Sequence, residues 1–486
     1  MTYIYDQVPY PGHPLPEAHP DRLATMARLF GMSPAPVETC RVLEIGCGDG
    51  SHLIPIALTL PRTECVGIDL AGVPIEKGKE LARRLDLSNI VLRQLDLREL
   101  DSRSGQFDYI VTHGLYSWLP PGIRDKLLAV CRALLAPQGV AFVSYNVYPG
   151  GHLRQMVRDM LLYDAQGIVD PAEKMERAGA FLRFLAHFNP RSAGLREEVA
   201  EMLTFAPSAL FHDDLAEVNQ PVYFHQFVEH ASHHGLQFLA EAEFKVFGAA
   251  GLSGKAAETL RAMAGGDRIR EQQYLDFLRC RRFRQTLLCR AETSLSKEPD
   301  LDAVARLWVA SGVRPISAAP DAASDREEAF QSLEGNTVRT NLPLAKTALL
   351  CLSRQWPVAV PFAELAEEVA SRVSSGPRAP AQLAELLLGL CASGLVDFHV
   401  TPSRFARQAG ERPRTFLLAR LQAESGMRVT TLRHSSVELQ DELVRRLLLL
   451  ADGTRDRRKL LAEMNVPLAD LDRNLDALAL LALLEC

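Results

Sequence analysis

The chain has no apolar run approaching the roughly 18 residues that a membrane-crossing helix needs, and the stretch LDALALLALLEC is short and carries acids. Membrane insertion is therefore not expected. The opening, MTYIYDQVPY, lacks the basic and apolar regions of a secretory signal. None of the nine cysteines forms a C-x-x-C pair, and their number is odd. Reduced thiols in a cytoplasmic protein fit this better than a disulfide framework. There is no excess of basic charge: the net charge is −6 over 486 residues. That argues against whole-protein attraction to nucleic acid or anionic membrane, although a local patch can still act. What the chain does have is apolar material, 47% of its residues, enough to bury several cores in about three or four domains.

Residues 1–20 are rich in proline, tyrosine and histidine. They are not expected to form a regular helix, because proline removes backbone donors and restrains its neighbours. From Asp21 the pattern turns helical, with Leu23, Met26, Ala27 and Phe30 on one face. Strands are then expected at Arg41–Ile45, Cys65–Leu70, Ile90–Leu95, Phe107–Val111 and Val140–Tyr145. Helices are expected at Ser51–Leu60, Pro74–Leu85 and Ile123–Leu135, with a turn at Pro137-Gln138-Gly139. Strands separated by helical segments predict an α/β fold, a parallel sheet with helices on both faces. From 152 to 300 the pattern is mostly helical, including 268–295, with one strand at Phe238–Val246. Ser317–Glu327 reads as a linker or flexible loop. Helices follow at 341–372 and 380–394, LVDFHV and RTFLLARL fit strand or helix, and 437–486 reads as three short helices.

The strongest local signal is VLEIGCGDG, 42–50, which places Gly46, Gly48 and Gly50 between a strand and a helix. Glycines allow a tight turn and close approach of a ligand, and the helix start adds unpaired N–H groups. The second strand ends in Asp69, about 20 residues on, where an acid can accept hydrogen bonds from ribose hydroxyls. The third ends near Asp96, placed to meet an adenine amino group. Both acids fall at carboxyl ends of strands, where open α/β sheets bind ligands. A tight turn with surface acids, or a nicotinamide enzyme, are the alternatives.

The spacing G-x-G-x-G, with Glu44, Asp69 and Asp96, resembles the class I S-adenosylmethionine methyltransferases. YDQVPYPGHP at the start, THGLYSWLPP at 112–121, SYNVYPG after the fifth strand and HDDLAEVNQPVYFHQFVEHASHHGLQFLAEAEF at 212–244 narrow the resemblance. They are similar to bacterial class I methyltransferases carrying a methyltransferase regulatory domain, a family that includes protein-lysine methyltransferases acting on outer-membrane proteins. The resemblance implies a Rossmann-like class I sheet and S-adenosylmethionine as cofactor. It implies that Glu44, Gly46, Cys47 and Gly48, then Asp69 and Leu70, then Asp96 and Leu97, and finally His113, Gly114 and Tyr10 contact that cofactor. It also implies an arm and methyltransferase domain over 1–151, a helical dimerisation and regulatory domain over 152–315, a middle helical domain over 316–400 for which a winged-helix-like form is open, and a winged-helix-like end over 401–486. A homodimer is the expected assembly, and a protein lysine the expected acceptor. A small molecule or sugar as acceptor, and a cofactor-sensing scaffold without turnover, stay open as alternatives.

Methyl transfer from a sulfonium needs positioning and an available lone pair. A lysine of pKa ~10.4 is only about 0.1% neutral near pH 7.4, so a dry pocket would help, and aromatic faces tolerate the cationic product. THGLYSWLPP follows the fourth strand, so His113, Tyr116 and Trp118 are the first acceptor-side candidates, with Tyr145 and Asn146 the second set and Tyr148 a possible wall. The alternative is that Tyr116 and Trp118 pack on the following helix, and that His113 is structural or touches the cofactor. Tyr5, Tyr10 and His13 on the stiff arm can form a lid.

His230 and His234 have helical i,i+4 spacing, which invites a metal. With no H-E-x-x-H and no cysteine partner, no metal site is expected. Asp213 and Asp214 read as caps. Arg279, Arg281, Arg282, Arg284 and Arg290 read as a basic helix whose solvated face makes intrachain pairs, so nucleic acid is not an expected partner.

Overall fold

A computed structural model describes residues 4–8, 10–188, 191–244, 252, 254–333, 335–373 and 378–486. Strands β1 Arg41–Ile45, β2 Glu64–Asp69, β3 Ile90–Gln94, β4 Phe107–Thr112, β5 Leu135–Asn146, β6 Leu236–Glu241 and β7 Phe283–Arg290 form one sheet. Their order is β3-β2-β1-β4-β5-β7-β6. The first five run parallel, and β7 lies antiparallel between β5 and β6. Helices Leu53–Thr59, Gly72–Arg84 and Pro121–Leu134 supply crossovers, which parallel neighbours require. Because both faces are covered, β1 and β4 are almost wholly buried and read as continuous apolar runs. The strand order reverses at β1, which neighbours both β2 and β4. The crevice beyond the carboxyl ends of β1 and β4 is therefore the switch point where such sheets bind ligands.

The sheet is mixed rather than wholly parallel, and the difference lies in Phe283–Arg290. The helix expected over 268–295 spans Arg268–Arg279 and ends where Cys280 adopts φ 46°, a left-handed cap. FRQTLLCR then continues as β7, so the basic helix face does not exist. Arg284 is fully buried. Its guanidinium donates to Asp276 at 2.9 and 2.8 Å and to Glu241 at 2.6 Å, and lies 3.8 Å over the ring of Phe224. Arg281 pairs with Asp276 and Arg282 with Glu201, while Arg290 donates to the Leu135 carbonyl. Glu241 and Glu201 come from elements distant in sequence, which a local charge pattern does not reveal.

Other boundaries shift for identifiable reasons. Strand β5 begins at Leu135, not Val140. Phe107 faces Leu135 but Tyr109 faces Val140, so residues 136–139 bulge out around Pro137, which cannot donate to the ladder. The segment 341–372 breaks into helices Pro343–Gln355 and Phe362–Arg372 at Pro357. Helix Pro207–Asp214 was not expected. The arm carries a single helical turn, Ile4–Gln7, and a 3₁₀ turn, Pro16–Ala18. The sixth strand ends at Glu241, and Val246 lies outside the described residues. LVDFHV supplies strand Asp397–His399, and RTFLLARL leads into helix Leu417–Ala423.

Helices Gly151–Asp164, Pro171–His187, Ala193–Met202 and Pro207–Asp214 pack around Val157, Leu161, Leu182 and Val199. A small sheet joins Trp308–Ala310 to Val360–Pro361 and Asp397–His399, so it carries chain from both sides of the division expected at 315/316. The last part contains helices Glu442–Leu450, Arg457–Met464 and Leu468–Leu480 with the hairpin Arg428–Thr430 and Ser436–Glu438. Its core, around Leu447 and Leu471, continues into Ile54 and Leu85, which flank the large sheet. His434 of this part is buried, and its Nε2 meets Nδ1 of His52 at 2.8 Å. No helix among the described residues is long and apolar enough to cross a membrane.

Arg284→Ala takes the close guanidinium from buried Glu241 and leaves Asp276 with Arg281 alone. Breaking such a pair from one side costs about 3–5 kcal/mol. Urea denaturation followed by circular dichroism is expected to show a clearly earlier transition. A midpoint equal to that of the unmodified protein would contradict this account of β7.

Candidate functional site

A cavity of about 710 Å³ opens at the switch point. One wall is the loop after β1. Gly46 has φ +81°, and a Cβ there would stand 2.8 Å from Leu115, so a side chain would both strain the turn and collide. The N–H groups of Gly46 and Cys47 both donate to the Ile68 carbonyl, at 2.8 and 3.0 Å. The Gly48 N–H donates to the Asp69 carboxylate at 2.9 Å, and the Ala71 N–H donates to its other oxygen at 2.8 Å. These amides are thus engaged within the protein rather than presented to a ligand. A pyrophosphate would need them free, which disfavours the nicotinamide alternative.

The same wall is acidic. Glu44, Asp49 and Asp69 line the cavity, and Lys77 pairs with Asp49 at 3.1 Å. Glu44 is buried, and one carboxylate oxygen, Oε2, has no hydrogen-bond partner among the described residues. Burial, with Asp69 and Asp49 adding, pushes its carboxyl well above the usual range. Burial also raises Asp69, against the pull of its backbone donors. An orphaned buried acid beside two further carboxylates fits a ligand bearing an ammonium and a sulfonium. Cys47 lines the wall as a buried thiol whose pKa burial drives well up, so it stays neutral.

The opposite wall comes from the turn after β4. His113 and Gly114 line the cavity. Ser144 Oγ accepts from the Gly114 N–H at 2.8 Å and lies 3.1 Å from His113 Nδ1. Burial, with His13 adding, lowers the His113 pKa to about 4, so the ring is neutral at physiological pH. Tyr116–Trp118 is one turn of 3₁₀ helix, where successive side chains diverge by about 120°. Trp118 accordingly lines the cavity, whereas Tyr116 turns into the core. The Tyr116 ring is 2% exposed, packs on Phe227 and Tyr145, and its hydroxyl meets His230 Nδ1 at 2.8 Å. The alternation of β5 separates its residues in the same way. Asn146 lines the cavity and donates to Asn219 at 3.1 Å. Tyr145 is fully buried, stacked on Phe227 at 3.9 Å, with its hydroxyl 2.9 Å from Thr286 Oγ1.

Tyr116 and Tyr145 are thus not acceptor-side walls, and Tyr148 stacks on His152 instead of closing the cavity. Asp96, Leu97 and Leu70 also stand outside the cavity lining. Arg98, two residues on, draws the Asp96 carboxylate into a capped turn at 2.8 Å from its backbone N–H and 2.9 Å from its guanidinium Nε. Leu97 packs in the core under the sheet, and Leu70 is 42% exposed.

The arm does reach the site: Tyr5, Tyr10 and His13 line the cavity. Tyr5 stacks on His212 at 4.1 Å, and His212 Nε2 lies 2.6 Å from the Val8 carbonyl, which pins the arm across the opening. His52, beside the glycine loop, holds the other end, accepting from the Leu15 N–H at 3.3 Å. The residues that sequence reasoning missed come from the unexpected helix Pro207–Asp214 and the turn after it. Asp214 pairs with Arg154 through two 2.8 Å bonds rather than capping. Asp213, Glu217 and Asn219 line the cavity. The Tyr10 hydroxyl is hydrogen-bonded to Asp213, whose carboxyl is pushed up to about 6, mainly by burial. Pro207, at the first position of that helix, was the one available signal for it.

Comparison with known proteins places these elements. Residues 42–139 match the family model described as a methyltransferase domain, 206–290 that described as a predicted methyltransferase regulatory domain, and 411–470 that of the PKMT C-terminal winged helix domain. Two uncharacterized Rickettsia prowazekii (strain Madrid E) proteins are similar. RP789 is 29% identical over 94% of this chain and 84% of its own length, and RP028 is 38% identical over 47% of this chain and 93% of its own. The structure of PKMT2 from Rickettsia typhi, also solved in complex with AdoHcy, superimposes with a TM-score of 0.87 at 27% identity, covering 98% of this chain and 100% of that one.

A cationic ligand at the acidic wall draws Glu44 into its carboxylate form. Binding of S-adenosylmethionine is therefore expected to release a proton and to strengthen as pH rises through the raised Glu44 pKa. Calorimetry in two buffers of different ionisation heat checks this. Equal heats in both buffers would contradict it, and Glu44→Gln is expected to abolish the difference.

Proposed function

We propose that this chain, which belongs to the S-adenosylmethionine-dependent class I methyltransferases carrying a methyltransferase regulatory domain, methylates the side-chain amine of a protein lysine. The observation that carries the acceptor is the cavity's second end. There Asn146 donates to Asn219 at 3.1 Å and Asn219 donates to the Asp213 carbonyl at 3.0 Å, and the Trp118 ring stands on the same lining. S-adenosylmethionine supplies the methyl group on a sulfonium, activated for in-line displacement.

The chain's residues do the rest. Glu44, Gly46, Cys47, Gly48 and Asp69 hold the cofactor from the β1 and β2 side. His113, Gly114 and Tyr10 hold it from the other, with His113 neutral. Asp213 receives the lysine as its ammonium. Proton transfer from a lysine of pKa ~10.4 to a carboxyl at about 6 is uphill by roughly 6 kcal/mol in water. Asp213 alone does not free the amine, and the arm's exclusion of water must lower the lysine pKa as well. The Trp118 face then accommodates the methylammonium product. PKMT relatives support a protein over a small-molecule acceptor.

We also propose a homodimer. The helical part exposes Tyr163, Val169, Phe184 and Phe188, at 81%, 90%, 51% and 68%, with the rings of Phe184 and Phe188 4.8 Å apart. An apolar face of this kind suits association between copies.

Labelling a lysate with tritiated methyl donor and the enzyme is expected to put radioactivity into the protein fraction, on lysine after hydrolysis. Label confined to small molecules would favour the alternative acceptor, and no label beside intact cofactor binding would favour the scaffold. Asp213→Asn is expected to cut turnover by about tenfold or more while leaving cofactor affinity unchanged. For the assembly, light scattering is expected to give twice the chain mass, falling to one chain in the double variant Phe184→Glu, Phe188→Glu. A monomeric unmodified protein would refute the dimer.

A further inference from the structure

His230 and His234 were set aside as a metal pair because the sequence offers no third ligand nearby. The fold supplies one 105 residues away. Asp125, on the helix Pro121–Leu134, points an oxygen at both rings. Asp125 Oδ1 lies 2.8 Å from His230 Nε2 and 3.4 Å from His234 Nε2, and the ligating atoms all lie within 4.8 Å of one another. Around a tetrahedral ion with bonds of about 2.0–2.1 Å, neighbouring donor atoms stand about 3.4 Å apart. Of the three pairs, one is already at that spacing and one needs to open by only about half an ångström, while the two imidazole ligand atoms stand within 4.8 Å of each other. We propose that Asp125, His230 and His234 form a site for a divalent cation of the zinc class, with the fourth position left to water.

Two further observations fit. The Tyr116 hydroxyl, buried in the core, engages His230 Nδ1 and so fixes the ring with Nε2 facing outward, the supporting arrangement that ligating histidines use. The two imidazoles are 23% and 21% exposed and the carboxylate 58%, so an ion can enter without unfolding the protein. Two imidazoles and one carboxylate favour a zinc-class ion over magnesium or calcium, which prefer all-oxygen sets.

The placement gives the site a purpose. It bridges the helix Phe224–His233, within the region matching the regulatory domain, to the helix Pro121–Leu134, within the region matching the methyltransferase domain. Through Tyr116 it also reaches the turn that carries Trp118 on the cavity wall. The ion acts as a clasp between the two regions, and no part in methyl transfer is assigned to it.

The test uses the full chain, stripped with chelator and titrated with Co²⁺. One equivalent is expected to bind, with visible absorption of a tetrahedral or five-coordinate N,O site, and Zn²⁺ is expected to displace it and raise the thermal midpoint. His234→Gln and Asp125→Asn, with circular dichroism unchanged, are expected to weaken binding by about tenfold or more, and Tyr116→Phe by about tenfold through the loss of its supporting bond. The proposal is overturned if the unmodified protein shows no saturable one-equivalent binding. It is equally overturned if the ligand variants bind as well as the parent, or if the spectrum shows the intense charge-transfer bands of cobalt bound to thiolate, which would place the ion on cysteines.

Discussion

Two amides on one carbonyl organise this site. Because Gly46 and Cys47 both donate to Ile68, and Gly48 donates to Asp69, the loop after β1 is stitched to the end of β2. Its donors are spent, and its remaining polar surface is acid. The polarity of the cavity wall follows: it favours a cation where an otherwise similar strand–loop–helix unit would cradle a phosphate. The raised carboxyls of Glu44 and Asp69 are the cost of holding acids in a buried place without a permanent counter-ion.

The second constraint is that several separate parts of the chain close on this loop. The arm is held at one end by His212 and at the other by His52. His52 in turn meets His434 from the last part of the chain. All three histidines are buried, and burial lowers each pKa, most strongly for His52 and His434. They serve as neutral hydrogen-bonding groups. The helix Gly151–Asp164, which exposes Tyr163, brings Arg154, and with it the Asp214 pair, to the cavity lining.

Much of this was legible in the sequence, and the exceptions have physical causes. Strands β1, β2 and β4 were readable because parallel strands buried on both faces become short apolar runs ending in glycine or acid. VLEIGCGDG and VGIDL therefore announced their places. Strand β7 was not readable, because Arg284 looks like a surface residue until Glu241 and Asp276 are brought to it. Among the site residues, His113, Trp118 and Asn146 reach the cavity. Tyr116 and Tyr145 do not, because a 3₁₀ turn and a strand send neighbours to different sides, and spacing alone does not say which side is the pocket. Asp96 stands outside the cavity lining, where Arg98, close by in the chain, offers it a partner. Asp213 reads in the sequence as a cap rather than a cavity residue, because its helix is not anticipated there.

The shared core of Ile54 and Leu85 with Leu447 and Leu471 bears on how this protein is handled at the bench. Those two side chains flank the Rossmann-like layer and share one core with the last part of the chain. A clone ending after the seventh strand would display that apolar patch to solvent and would lose His434 from His52. Such a fragment is suited to clumping rather than to reporting the properties of the intact enzyme. The working unit of this fold is the whole polypeptide.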